Sequence, residues 1–156
     1  MKLLVTSDSH GNYPLLFRAG DAAAPVDAVI HLGDGSDDAA LLGQAAGLEV
    51  ISVAGNCDRG ATVPRELLWE CSGHRFLLTH GDAYGVKSGL CRLERRALQA
   101  GVRVVLYGHS HLAAITTRSG ILFVNPGTLM KRASLTSYAT LEIGSNGITP
   151  LLHDIA

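Results

Sequence analysis

Five short polar clusters gather imidazoles and carboxylates in patterns suited to metal ligation: Asp8-Ser9-His10, Gly33-Asp34-Gly35-Ser36-Asp37, Gly55-Asn56-Cys57-Asp58, His80-Gly81 and Gly108-His109-Ser110-His111. Asp8, His10, Asp34, Asn56, His80, His109 and His111 supply seven donors, more than one tetrahedral zinc ion takes. Two ions fit better. With Asp34 bridging, each ion receives four protein groups and keeps positions open, which points to catalysis rather than to a structural metal. Two divalent ions against the two carboxylates leave the centre positive, so it should attract an anion, and phosphate is the obvious one.

Such distant residues meet only if the fold brings them together. Each cluster follows an apolar run: Leu3 to Thr6, Ala28 to Leu32, Val50 to Ala54, Phe76 to Thr79, and Val104 to Tyr107. These read as buried strands entering loops. Helices are expected over Tyr13 to Ala23, Asp37 to Ala46, and Ser88 to Ala100, the last stopped by Gly101. The alternation predicts α/β layers, with the clusters collected outside the carboxyl ends of the strands. Beyond His111 the pattern becomes short strands, Ala114 to Arg118, Ile121 to Asn125, Ser137 to Ile143 and Ile148 to His153, joined by turns at Ser119-Gly120 and Ser145-Asn146-Gly147. A second, hairpin-like sheet region is expected there.

A length of 156 residues suits one domain spanning 1–156. With 47% hydrophobic and 17% charged residues, the chain is neither disordered nor fibrous. Thirteen basic against fourteen acidic side chains leave a net charge of −1, which excludes the strongly basic field of a general nucleic-acid binder. No apolar run approaches the roughly 18 residues of a membrane span, and the N-terminus lacks a signal-peptide core. The three cysteines, Cys57, Cys71 and Cys91, are odd in number and irregular in spacing, so reduced thiols and a cytoplasmic location are expected.

In order and type the clusters, D-x-H, G-D-x-x-D, G-N-x-D, H and G-H-x-H, resemble the motifs of the calcineurin-like binuclear metallophosphoesterases, from Asp8 to His111. Cys57 within the third motif and the later Asn125-Pro126-Gly127-Thr128 are similar to the YfcE-type phosphodiesterase subgroup, which extends the resemblance over nearly the whole chain. It implies a four-layer α/β/β/α sandwich with two mixed β-sheets. It also implies that Asp8, His10, Asp34 and His111 hold one ion, and Asp34, Asn56, His80 and His109 the other. The resemblance leans toward manganese, while the ligand types also accept Fe, Co, Ni or Zn.

The activity implied is phosphodiester hydrolysis of a small molecule or nucleotide, by attack of a metal-bridging hydroxide on phosphorus. Asp34, Asn56, Cys57, His80 and His109 are the residues expected at the reacting groups. Most superfamily members carry His where this chain has Cys57, and a thiol is a poorer partner for the leaving oxygen. Diesters with stable leaving groups are therefore expected before alkyl monoesters. The alternatives are a phosphomonoesterase or nucleotide pyrophosphatase on the same site, and a non-catalytic protein-binding scaffold, because the related retromer subunit keeps the fold and works by protein contacts. Asp82 stands where many similar proteins have a further His, which bears on substrate preference.

Asp37 and Asp58 are expected to orient ligand imidazoles, which usually need a carboxylate or carbonyl to fix their tautomer. His31, His74 and His153 fall outside the motifs and are read as polar or surface residues. Cys71 and Cys91 are read as packed thiols, and Arg92, Arg95 and Arg96 as a solvated helix face. The Asn125–Thr128 segment is a turn by composition, with Lys131 and Arg132 just beyond it available to a substrate phosphate. A homo-oligomer paired through an exposed edge strand is compatible with the sequence, which does not locate that edge.

Overall fold

A computed structural model describes residues 1–156. Period-two alternation of apolar side chains lets each central strand face two cores at once. Five strands form one sheet in the order β10-β9-β1-β2-β3, with β1 (Lys2–Thr6), β2 (Ala28–His31) and β3 (Glu49–Ser52) parallel, and β9 (Ser137–Gly144) and β10 (Gly147–Asp154) antiparallel. The other sheet runs β4-β5-β6-β8-β7. In it β5 (His74–Thr79), β6 (Val104–Leu106) and β8 (Ile121–Asn125) are parallel, and β4 (Glu66–Cys71) and β7 (Ala114–Arg118) are antiparallel edges.

Leu3, Val5, Ile30, Phe76, Leu78, Leu106 and Val124 fill the space between the sheets. The alternate residues face outward. Leu4 and Val29 pack under α1 (Tyr13–Ala23) and α2 (Ser36–Ala46), while Leu77, Val105 and Phe123 pack under α3 (Cys91–Ala100). The result is helix, sheet, sheet, helix, as expected. No helix is long and apolar enough to cross a membrane.

Three local expectations change. The strands after His111 do not form a sheet of their own: β7 and β8 complete the second sheet, and β9 and β10 return to the first beside β1. Strand β4 was absent from the expected elements, although Leu67, Trp69 and Cys71 alternate toward the core and a Ser72-Gly73 turn follows. Its exposed Leu68 and the charged Glu66 and Glu70 obscured that period. Helix α3 begins at Cys91 rather than Ser88, because a short 3₁₀ turn at Asp82–Tyr84 and Gly89 at φ 141° occupy the approach.

Arg96 does not lie on a purely solvated face. Its Nε and Nη2 donate to Glu66 Oε1 at 2.9 and 2.5 Å, and the Tyr84 hydroxyl donates to the same carboxylate, tying α3 to β4. Arg92 and Arg95 are exposed as expected. Cys91 is exposed rather than packed, whereas Cys71 is half-buried against the inter-sheet core.

Candidate metal centre

Because β1, β2 and β3 run parallel in one sheet, and β5 and β6 in the other, their carboxyl ends deliver the polar clusters to one edge of the sandwich. Asp8, His10, Asp34, His109 and His111 all have positive φ, between 45° and 65°. The two other non-glycine residues with positive φ, Ser72 and Ser119, occupy tight hairpin turns. Backbone conformations of this kind persist only where the surroundings enforce them, and they concentrate at functional sites.

Close approach of the loops requires glycine, as Gly33 and Gly108 show. A Cβ on Gly33, at φ 100°, would lie 2.6 Å from the Gly55 nitrogen and 2.8 Å from His80 Nδ1. One on Gly108 would lie 2.0 Å from Ser7 Oγ.

Imidazole nitrogens converge on two buried carboxylates. Asp8 Oδ1 lies 3.0 Å from His111 Nε2, 3.6 Å from His10 Nε2 and 3.9 Å from His80 Nε2. Asp34 Oδ2 lies 3.3 Å from His80 Nε2 and 3.7 Å from His10 Nε2. His109 Nδ1 faces His80 Nε2 at 3.1 Å. Two groups of donors emerge, Asp8 with His10 and His111, and Asp34 with His80 and His109, each with its ligand atoms mutually within 4.8 Å. A third group within the same limit is His10, Asp34 and Cys57. Asn56 and Cys57 are exposed at the rim, with Asn56 Nδ2 donating toward Cys57 Sγ at 3.5 Å.

The donor set fits divalent cations, since carboxylate oxygens and imidazole nitrogens face one another at ligand-to-ligand spacings. The His80 ring is preset for this. Its Nδ1 hydrogen is donated to the Leu32 carbonyl at 2.8 Å, which leaves Nε2, the nitrogen that faces Asp34, as the atom that would bind a cation. Burial opposes ionisation of Asp34, but hydrogen bonds from His80 and the Cys57 amide outweigh it and hold the carboxyl well below the usual carboxylate range. Burial would likewise lower His80, yet Asp34 and Asp8 outweigh it and raise its pKa. His109 is lowered, by burial first and by the neighbouring His80 next.

Neither Asp37 nor Asp58 hydrogen-bonds an imidazole. Asp58 instead accepts the backbone N–H groups of Asp34 at 2.7 Å, Gly35 at 2.9 Å, Ser36 at 3.2 Å and Gly55 at 2.8 Å. The N-terminus of α2 has Gly35 at its cap position and thus no capping side chain of its own, so Asp58 caps it from the neighbouring loop. These hydrogen bonds lower the Asp58 pKa despite its partial burial. Asp37 is exposed on the first turn of α2.

The neighbouring Asp38 plays the buried part. Its Oδ2 accepts from Ser9 Oγ at 2.6 Å and from the Gly11 amide at 2.9 Å. Ser9 Oγ also meets His31 Nε2 at 3.2 Å, and His31 Nδ1 accepts the Gly33 amide at 3.2 Å. His31 therefore links the Asp8 and Asp34 loops without facing the donors itself. Its place at the end of a fully apolar strand was the available signal.

The Asn125–Thr128 turn braces the opposite side. Asn125 Nδ2 donates to the Gly108 carbonyl and to Ser110 Oγ, and Thr128 Oγ1 donates to the Asp8 carbonyl at 2.9 Å. Lys131 and Arg132 are exposed just beyond it, and neither forms an ion pair. His74 and His153 lie on β5 and β10, with His153 Nε2 bonded to Thr140 Oγ1. Asp82 pairs with Arg65.

A family model described as the calcineurin-like phosphoesterase superfamily domain matches residues 1–146. The probable metallophosphoesterase YsnB of Bacillus subtilis is 36% identical over 160 residues, covering 100% of this chain and 92% of the relative. The phosphodiesterase YfcE of Escherichia coli K12 is 31% identical over 170 residues, covering 91% and 88%. Its solved structure superposes with a TM-score of 0.68. Vps29 from Entamoeba histolytica, solved in complex with zinc, superposes with a TM-score of 0.75 over 99% of both chains at 19% identity, a likeness of fold.

Proposed function

The chain belongs to the calcineurin-like phosphoesterase superfamily, and from that premise we propose that it is a metal-dependent phosphodiesterase with a binuclear centre. The coarser activity, hydrolysis of phosphoester bonds, is that of the family and of its named relatives. The observation that carries the finer reading is the convergence of His10, His80, His109 and His111 on Asp8 and Asp34.

In this reading Asp8, His10, Asp34 and His111 hold one ion. Asp34, Asn56, His80 and His109 hold the other, with Asn56 contributing its amide oxygen. Two divalent ions there supply Lewis acidity toward phosphoryl oxygens and a water ionised near neutral pH. Asp34, held ionised, would be the carboxylate that serves both ions. Cys57 faces the leaving oxygen. Burial and Asp34 push its pKa up, so at neutral pH it offers a thiol hydrogen, a weaker donor than an imidazolium. That weakness favours diesters whose leaving groups need little protonation. Lys131 and Arg132 are cations available to a substrate phosphate. Manganese is the expected ion, and three free thiols support a reducing compartment such as the cytoplasm.

A protein-binding scaffold is the rival, and metal binding alone does not separate the two, because an ion can sit in this cluster whether or not a substrate turns over. Turnover does. A bis-aryl phosphate diester and the matching monoester, assayed after chelation and again with Mn(II) restored, should show metal-dependent hydrolysis with the diester preferred. Monoester preference would overturn the substrate class, and no turnover of either with several metals would favour the scaffold.

A further inference from the structure

The third donor group joins His10 and Asp34, already assigned as ligands, to Cys57, which the ligand assignment above leaves out. Its three ligand atoms lie mutually within 4.8 Å. Bonds of about 2.0 to 2.3 Å to a tetrahedral ion place ligand atoms roughly 3.3 to 3.8 Å apart, so the group needs only small adjustments to close on one ion. The loop that carries Cys57 is already docked, because the Cys57 amide donates to Asp34 Oδ1 at 2.7 Å and Asp58 ties the same loop to Gly35 and Ser36. A cleft of about 270 Å³ opens here, lined by His10, Asp34, Cys57 and Asp58 among others. Cys57 is exposed, and its Sγ already lies on the Asp34 side of this cleft.

We propose that Cys57 Sγ is a conditional ligand of the metal centre, closing with His10 and Asp34 on thiophilic ions and standing off from hard ones. The inference rests on the reading of this cluster as a metal centre. Thiolate sulfur selects zinc and similar ions, whereas manganese prefers oxygen and nitrogen donors. When the sulfur–metal bond forms, the thiol proton passes to solvent, since a coordinated thiol is deprotonated outright. Cys57 then fills a position otherwise open to substrate and can no longer donate its hydrogen. The same chain is thus competent with manganese and self-closed with zinc.

Cobalt(II) tests this on the full-length, chelator-treated protein. Visible ligand-field bands report that the ion is bound, and a near-ultraviolet sulfur-to-cobalt charge-transfer band reports thiolate ligation. Both are expected in the unmodified protein. Cys57→Ser should lose the charge-transfer band and keep the ligand-field bands, and its zinc affinity should fall at least about tenfold relative to its manganese affinity, the least that loss of an orienting partner produces. Cys57→Ala, with a native circular dichroism spectrum, should behave the same way. Ligand-field bands without the charge-transfer band in the unmodified protein would overturn the proposal and leave the metal centre standing. A band that survives in Cys57→Ser would trace to Cys71 or Cys91 and also overturn it. Absence of both bands would remove the metal centre, and this proposal with it.

Discussion

At His31, burial and hydrogen bonding act together. The ring is fully enclosed, its Nδ1 accepts the Gly33 amide, and burial pushes its pKa down to about 4. Between roughly pH 6.5 and 4 the unfolded chain binds a proton at this residue that the folded chain refuses. Stability therefore falls as the pH falls through that window, by about 3 kcal/mol in total. Denaturant unfolding at a series of pH values should show His31→Asn with a flatter slope there than the unmodified protein, and equal slopes would remove His31 from this role. At Cys57 the expected effect is on chemistry. In the proposed mechanism Cys57→His sets an imidazole against the leaving oxygen, and it should raise monoester turnover relative to diester turnover, as kcat/KM for the two aryl substrates would show.

Elements explain why some roles were legible and others not. Strands ending in polar clusters announced the donor loops, because a buried strand must emerge at an edge and parallel strands share that edge. The capping role of Asp58 is not legible in the sequence, because its partners are backbone amides, which carry no mark there. Three of its hydrogen bonds join the α2 N-terminus to the loop after β3, and the fourth, from the Gly55 amide, closes that loop on itself. Asp58→Ala should cost about 2 kcal/mol and weaken metal binding about tenfold or more, checked by denaturation and by metal titration. Strand β4 was hidden by its exposed Leu68, and the Glu66–Arg96 pair by the distance in sequence between β4 and α3. On α3 the two kinds of contact should differ in weight. Leu93→Ala, at a fully buried position, should cost about 2 to 5 kcal/mol, whereas Arg96→Ala, at a partly exposed ion pair, should cost about 1 kcal/mol or less.

For the whole molecule, the four layers hold two sheets face to face so that loops from both meet at one edge. The sequence pattern made the layers and the edge readable. It did not reveal that β9 and β10 return to the first sheet, because strand order depends on long-range pairing rather than on local periodicity. An ion that binds the folded chain at this edge and not the unfolded chain stabilises the fold by mass action, about 2.7 kcal/mol per site at a hundredfold excess over Kd. Asp34 is the one donor assigned to both ions, which makes it the most direct test of the account. We would measure manganese stoichiometry and the electron paramagnetic resonance spectrum of the loaded protein beside those of Asp34→Asn. The account predicts two ions per chain with the spectrum of a spin-coupled pair, and loss of both features in the variant. A single ion, or two uncoupled ions unchanged by Asp34→Asn, would contradict it.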